Sequence, residues 1–430
     1  MKPKMARFID YWAGNVICLA VSSIYNLSKI FPRKKNPPPP KNILLLELSE
    51  MGSAILSYPA IKLIKDRYPD ARIYFWIFDK NADGVRILGI IPDERIITTR
   101  SSCLRLLVWD TLMNIVKIRK AGIDTVIDME LFSRFSSILV SAAGACRRAG
   151  FHRFSLEGLY RADVYTHKVM YNPHVHISRN FINLVNSLGE EGRSWALPRR
   201  PMEEWPLRLP APKTDYQAQK MLHNKLITGN NRSVKCETIV VMNPGLDDAL
   251  SIRKWPIENY AGLARKLCAD KNVAIVLIGK TRPSCPESQI IKDIFDRERV
   301  VNIIGKTDAG ELLELFRIAS LFISHDSGAV SFASLVNVET IVLFGPETPI
   351  IYAPLGPNTT VIYKRFACSP CLSAYNHRTS SCRDNKCVQS ITVEEVYEKS
   401  KIHLRKSLKD TTTLYGKRSL SCTRCLHHEL

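Results

Sequence analysis

Ser324-His325-Asp326-Ser327-Gly328 stands between an apolar run that reads as a β-strand and a pattern that reads as a helix. A helix starting there points free backbone N–H groups and the positive end of its dipole at whatever lies outside, which suits a phosphate. The plainer reading is that Asp326 or Ser327 only caps the helix. Asn243-Pro244-Gly245 also follows directly on a strand, where glycine permits close backbone approach to a ligand and proline stiffens the turn. Arg253-Lys254-Trp255-Pro256 comes next, and two adjacent cations beside a strand-end loop can neutralise a diphosphate. The alternative is a solvated pair of cations with Trp255 in the core. Phe344-Gly345-Pro346-Glu347-Thr348-Pro349 closes another strand with the same turn grammar. Three such loops in one region point to a built anion site. A different chemistry is suggested by Cys368-Ser-Pro-Cys371 and, ten residues on, Cys382-Arg-Asp-Asn-Lys-Cys387. Four thiolates so spaced suit a structural zinc, with two disulfides or four free thiols as alternatives.

The elements that must position these loops are legible as alternating apolar runs and helical patterns. The chain has 430 residues, 45% apolar and 24% charged, which is globular composition and enough for two or three domains. In the first half, strands are expected at residues 43–48, 72–78 and 125–129, with helices at 54–68 and 133–143. In the second half, strands are expected at 238–242, 273–278, 321–323 and 340–344, with helices near 257–269, 287–296, 310–319 and 328–336. Residues 190–235 lose this regularity and read as an interdomain region. The expected division is therefore a helix and its flanks at 1–36, a Pro-rich spacer at 37–41, Rossmann-like domains at 42–189 and 236–364, a Cys-rich segment and helix at 365–397, and a basic tail at 398–430. Two Rossmann-like halves put a ligand cleft between them, facing the carboxyl ends of the strands.

Between Asp10 and Lys29 lie 18 uncharged residues, close to the lower limit for a membrane span but diluted by asparagine and serine. On a helix, Ile9, Ala13, Val16, Ala20, Ile24, Leu27 and Phe31 share one face, while Asn15, Ser22, Asn26, Lys29 and Arg33 share the other. Basic residues bracket it, and Tyr11 and Trp12 suit the headgroup level. It reads as an amphipathic helix lying in a membrane interface, with a single span or a helix docked on the protein as alternatives. The tail's Cys422-Thr-Arg-Cys425-Leu-His427-His428 carries metal-ligand residue types but reads as disordered.

Taken in order and spacing, the set Leu48-Ser49-Glu50-Met51-Gly52, Pro59-Ala60, Asn243-Pro244-Gly245, the basic-Trp-Pro element, Asp326-Ser327-Gly328 and Phe344-Gly345-Pro346 resembles glycosyltransferase family 9, the ADP-heptose:lipopolysaccharide heptosyltransferases. The resemblance covers roughly residues 41–397. It implies the GT-B fold, in which two Rossmann-like domains face each other across a cleft. It also implies an inverting transfer that needs no catalytic metal, from a nucleotide-diphosphate sugar to a lipid-linked glycan such as lipopolysaccharide core. Carried over by residue, Asp326, Ser327 and Gly328 would hold the donor's sugar and phosphates, and Arg253, with Lys254 beside it, would contact the diphosphate. Asn243, Pro244, Gly245, Gly279 and Glu287 would line the nucleotide pocket.

Two positions depart from the family pattern. Ser53 stands where the family has an Asp proposed as general base, and Ser331 where a His usually follows the Asp-Ser/Thr-Gly motif. A serine near neutral pH does not replace either. Glu50, three residues before Ser53 in the same loop, is the expected substitute, ahead of Glu47 within the strand and Glu130 at the end of another. Lack of a base would instead make the chain a non-catalytic nucleotide-sugar or glycolipid binding protein.

The formal net charge of +20 favours anionic partners, but its distribution is uneven. Residues 1–41 hold eight Lys or Arg against one Asp, and residues 399–430 hold eight against two acidic residues, leaving a body that is only +7. Basic ends around an amphipathic helix point to an anionic membrane surface, and the resemblance to the cytoplasmic face of the inner membrane. No nucleic-acid motif accompanies the charge, so nucleic acid is not an expected partner.

Overall fold

Near-continuous apolar runs are what a parallel sheet covered on both faces requires, and both halves of the chain supply them. The computed structural model describes residues 3–28, 38–152, 160–189, 205–228, 238–245, 251–280 and 299–415. In the first half, β1 (Asn42–Leu46), β2 (Arg72–Phe78), β3 (Ile96–Thr99), β4 (Thr125–Asp128), β5 (Arg147–His152) and β6 (His167–Met170) form one six-stranded sheet in the order β3-β2-β1-β4-β5-β6. In the second, β7 (Thr238–Asn243), β8 (Val273–Leu277), β9 (Val300–Asn302), β10 (Leu321–His325), β11 (Thr340–Phe344) and β12 (Thr359–Tyr363) pair in the order β12-β11-β10-β7-β8-β9. All pairings are parallel; Leu44 lies between Tyr74 and Val126, and Ile323 between Met242 and Ile341. Both sheets have the doubly wound Rossmann order, so the fold is α/β with the two-domain architecture expected. Ile43 and Leu45 enter one core and Leu44 and Leu46 the opposite one, the two-sided burial that the apolar run in β1 anticipates.

The strand order reverses between β1 and β4 and between β7 and β10. Loops leaving those four strands therefore diverge and open a crevice at their carboxyl ends. They carry Leu48–Met51, Met129–Ser133, Asn243–Gly245 and Asp326–Ser327.

Counting helices of six residues or more, the chain adds α1 (Pro3–Ser28), α2 (Met51–Leu56), α3 (Tyr58–Arg67), α4 (Leu104–Lys120), α5 (Arg134–Ala143), α6 (Ile177–Ser187), α7 (Tyr216–Thr228), α8 (Ile257–Leu267), α9 (Ala309–Ile318), α10 (Gly328–Val336) and α11 (Val393–Tyr415) among the described residues. The single helix expected over 54–68 starts earlier and is divided at Ser57. Pro59 sits in the first turn of α3, where its missing N–H costs nothing, and the Ser57 hydroxyl donates to the Ala54 carbonyl. The region expected to be irregular holds α7, which packs on α9 through Lys225 and Glu311. The helix expected near 287–296 lies outside the described residues, and α11 carries helical structure into what was read as a basic tail. Cys422, Cys425, His427 and His428 also lie outside the described residues.

Helix α1 sits on α5, and the face it uses is the small and polar one. Asp10 accepts the Phe135 amide at 2.8 Å, Arg134 Nε donates to Asn15 Oδ1 at 2.7 Å, and the Ser22 hydroxyl meets Tyr160 Oη at 2.9 Å. Gly14, Cys18 and Ser22 are buried between these contacts, one helical turn apart. A Cβ on Gly14 would come within 2.9 Å of Arg134 Cβ. The apolar face is left outside, with Phe8, Trp12, Val16, Leu19, Ile24 and Leu27 all exposed. The helix is thus both docked on the protein and amphipathic toward solvent, two readings that the sequence set against each other. Arg7–Leu27 is long and apolar enough, by length and composition, to cross a membrane.

Candidate active site

The loops leaving β7, β8 and β10 converge through Asn243. Its Nδ2 donates to Ser327 Oγ at 3.1 Å and Ser324 Oγ at 3.4 Å, and its Oδ1 accepts the Gly245 amide at 3.2 Å. Gly279 joins from the loop after β8, where a Cβ would lie 3.3 Å from Asn243 Oδ1. Pro244 is buried behind them. Gly245 has φ +62°, and a Cβ there would lie 2.4 Å from His325 Cε1, so both backbone and space require glycine. Burial, then Lys254 and Arg253, pushes His325 down to about 3, leaving a neutral imidazole; its amide donates to Tyr260 Oη at 3.0 Å.

Ser327 occupies the N-cap position of α10, yet its side chain makes no capping hydrogen bond and Asp326 turns instead to Arg253. The first-turn amides of α10 are therefore not consumed by a side-chain cap, which weakens the plainer capping reading. Arg253 lies 3.2 Å from Asp326 and 2.8 Å from Glu347, and its buried Nε has no hydrogen-bond partner. Burial raises the Asp326 carboxyl, with Arg253 opposing; burial likewise raises Glu347, to about 8.

From Glu347 the charges continue into the other half. Arg378 Nε is 3.4 Å from Glu347, and the same guanidinium pairs with Glu50 and covers the Tyr352 ring at 4.6 Å. Asp326, Arg253, Glu347, Arg378 and Glu50 thus alternate acid and base from the α10 N-terminus to the first loop. The halves also meet as backbone: a Cβ on Gly52 would be 3.0 Å from Ser331 Oγ, and one on Gly328 would be 4.0 Å from the Gly52 amide.

In the first loop Glu130 Oε1 accepts from the Leu48 amide (2.7 Å), the Ser49 amide (2.8 Å) and Ser49 Oγ (2.8 Å), which fixes the chain leaving β1. Glu47 is 4% exposed and lies close to Ser53 and Glu130. Burial, then Glu130, pushes its carboxyl well above the usual range. Sequence reasoning set Glu47 aside as a strand residue, but β1 ends at Leu46. It therefore ranked a buried carboxylate close to Ser53 below Glu50. Glu347 and Arg378 were not read as charge partners because their pairings, Glu347 with Arg253 and Arg378 with Glu50, join segments that meet only in the folded chain. Glu287 lies outside the described residues.

The zinc reading of the cysteines is not supported. Cys368, Cys371, Cys382 and Cys387 line one small cavity of about 170 Å³, but among the described residues no group of cysteine, histidine or acidic side chains is disposed to hold a metal ion, and all four are free thiols. Cys387 is buried against Gly345, whose would-be Cβ is 3.0 Å from its Sγ, so this sulfur fills core beneath the Phe-Gly-Pro turn.

Residues 115–380 match the family model for glycosyltransferase family 9 (heptosyltransferase), more than half of the chain. The chain belongs to glycosyltransferase family 9. A curated family 9 relative, lipooligosaccharide heptosyltransferase 2 of Campylobacter jejuni, is 27% identical over 187 residues, 43% of this chain and 55% of that protein. The chain thus spans only about half the length of that relative. Among solved structures, the Escherichia coli ADP-heptose lipopolysaccharide heptosyltransferase II has the same fold, with a TM-score of 0.63 at 17% identity over 85% of this chain and 99% of that one. A family 9 glycosyltransferase from Veillonella parvula superposes with a TM-score of 0.64 at 16% identity, covering 85% and 97% of the two chains.

Proposed function

We propose that this chain is a glycosyltransferase that moves a sugar, heptose by analogy with its relatives, from a nucleotide-diphosphate donor to a lipid-linked envelope glycan such as lipopolysaccharide core. The observation that carries this reading is the continuous run of paired acidic and basic side chains from the α10 N-terminus to the first loop. It joins an anion cradle to buried carboxylates across one cleft. The donor nucleotide would lie against Asn243, Pro244, Gly245 and Gly279, and its diphosphate against the α10 amides, Ser327, Gly328 and Arg253, with Lys254 nearby. Asp326 would hold Arg253 and the sugar.

In the proposed step the acceptor oxygen attacks the anomeric carbon from the face opposite the diphosphate. The bond to the diphosphate oxygen breaks with its electron pair, and the acceptor proton passes to a carboxylate. Inversion follows from that geometry. Glu50 remains a candidate base, but its carboxylate is engaged by Arg378 and would have to leave that pair. Glu47 fits better: it is buried beside Ser53 at the cleft, and burial and Glu130 raise its proton affinity above that of an exposed carboxylate, which makes its ionised form the stronger base. With Glu47 there, Ser53 no longer argues for a non-catalytic binding protein. The exposed apolar face of α1, with basic flanks, supports peripheral attachment at the cytoplasmic face of the inner membrane.

The test is sugar transfer from radiolabelled ADP-heptose to an extracted lipopolysaccharide core acceptor, beside titration of ADP against the same protein. Transfer by the natural chain that is abolished in Asp326→Ala supports the reading. Absence of both ADP binding and transfer with any nucleotide sugar overturns it.

A further inference from the structure

A cavity of about 510 Å³ opens beside Glu47, Glu50 and Ser53, within the size range of about 300–1,000 Å³ usual for small-molecule sites. Its walls are unlike those of a sugar site. Ile9 and Ile17 come from α1, Leu104 and Leu107 from α4, Phe135 and Ile138 from α5. Polar groups enter it as the cations Arg7, Lys80 and Arg378, with Asp10 beside Arg7 on α1 and Glu47, Glu50 and Glu130 at the cleft. The cavity therefore couples an apolar wall of three helices to cations and to the carboxylates of the first loop.

Two of those helices also carry the largest exposed apolar faces among the described residues. Because α1 docks through Asp10, Gly14, Cys18 and Ser22, it turns Phe8, Trp12, Val16 and Leu19 outward. Helix α4 does the same with Val108, Trp109, Leu112, Met113 and Val116, and its last turn holds Lys117, Arg119 and Lys120. Exposed tryptophan, aliphatic side chains and flanking cations form the pattern of a surface that sits in an anionic lipid interface. The cavity thus shares its helices with that surface on one side and its polar residues with the cleft on the other.

We propose that this cavity is a hydrocarbon site. It takes a chain of an anionic membrane amphiphile, entering between α1 and α4, while the anionic head meets Arg7, Lys80 and Arg378. The inference rests on the glycosyltransferase reading for its purpose, the presentation of a lipid-linked acceptor to Glu47 or Glu50, but the binding itself does not depend on it. Helix α1 is then one wall of the acceptor site as well as an attachment to the membrane. The occupant is chosen by complementarity. An apolar wall excludes a free glycan, and cations at the polar end select an anionic head over a neutral or cationic one.

The experiment uses the full chain and 11-(dansylamino)undecanoic acid, an anionic head on a hydrocarbon chain whose fluorescence rises in an apolar site. The natural protein is expected to bind it saturably. Ile17→Trp combined with Leu107→Trp fills the cavity and is expected to weaken binding by about tenfold or more, with ADP affinity unchanged as proof of fold. Ile17 is 44% exposed on α1, so Ile17→Trp alone provides a variant that does not burden the core and is expected to weaken binding in the same direction. Lys80→Glu is expected to weaken the anionic probe and not an uncharged undecanol analogue. Absence of saturable binding by the natural protein, or equal binding by both filled variants, overturns the proposal. Failure of the glycosyltransferase reading is read separately, as absence of ADP binding and sugar transfer in a protein that still takes the probe.

Discussion

The two sides of the cleft solve different problems with different materials. The side proposed for the donor is made of backbone: loops at strand ends, Gly245 against His325, and the amides opening α10, with Arg253 as the principal charge. The first-loop side is made of buried carboxylates, Glu47 and Glu130, and of walls contributed by helices, one of which precedes the Rossmann-like halves altogether. A diphosphate is the same object in any donor, so a rigid cradle suffices. An acceptor hydroxyl needs a base of tuned proton affinity and a way in from a particular environment, and both are set by burial and packing.

The largest effect should come from the charge that bridges the two sides. Arg253→Met leaves Asp326 and Glu347 buried without their cation and should cost about 3–5 kcal/mol of stability, with donor affinity lost; unchanged ADP titration would dissociate Arg253 from the donor side. Glu47→Gln should lower kcat by about 10²–10⁴ while ADP affinity stays, whereas Glu50→Gln should lower it less. The reverse ranking in single-turnover rates would return the base to Glu50. The pH profile sharpens the same contrast. Because the Glu47 carboxyl lies well above the usual range, activity should rise with pH through a limb displaced upward, and Glu47→Gln should abolish that limb.

Smaller effects separate conformation from charge. Gly245→Ala forces a side chain against His325 at positive φ and should cost about 1–3 kcal/mol, seen as a lower melting temperature and weaker ADP binding. On the donor side, Glu347 holds its proton up to about 8. A carboxyl whose pKa is raised by folding contributes stability below its unfolded value and loses it as pH rises, so stability should decline between the ordinary glutamate value and about 8, and donor affinity should fall as ionisation sets a negative charge beside the diphosphate. Glu347→Gln should flatten both curves. Asp10→Ala removes the acceptor of the α5 amides and should free α1 at a cost of about 1 kcal/mol, measurable as faster proteolysis within residues 3–28.

The same division decides what was legible beforehand. Strands β1, β2, β4, β7, β8, β10 and β11 were legible because an apolar run in a parallel sheet has one meaning, and the loops after β7, β10 and β11 because glycine and proline mark strand ends; β5 was not, since its buried run opens with Arg147 and Arg148. Helix α4 was not, since Val108, Trp109, Leu112, Met113 and Val116 keep its outer face apolar and erase the expected period. Glu47 was misjudged through one residue of strand boundary, and Arg378 and Glu347 become partners only when the chain folds back on itself. The cysteines have metal-like spacing, yet Cys387 is used as core volume, which spacing alone does not reveal.

Helix α1 fastens by one face and exposes the other, so what keeps it in place and what it presents to its surroundings are independent. In plain buffer the exposed stripes of α1 and α4 have only each other's copies to cover them. The protein should then sediment as concentration-dependent aggregates that detergent micelles disperse, and its apparent size without lipid would measure the lack of a bilayer rather than a quaternary structure.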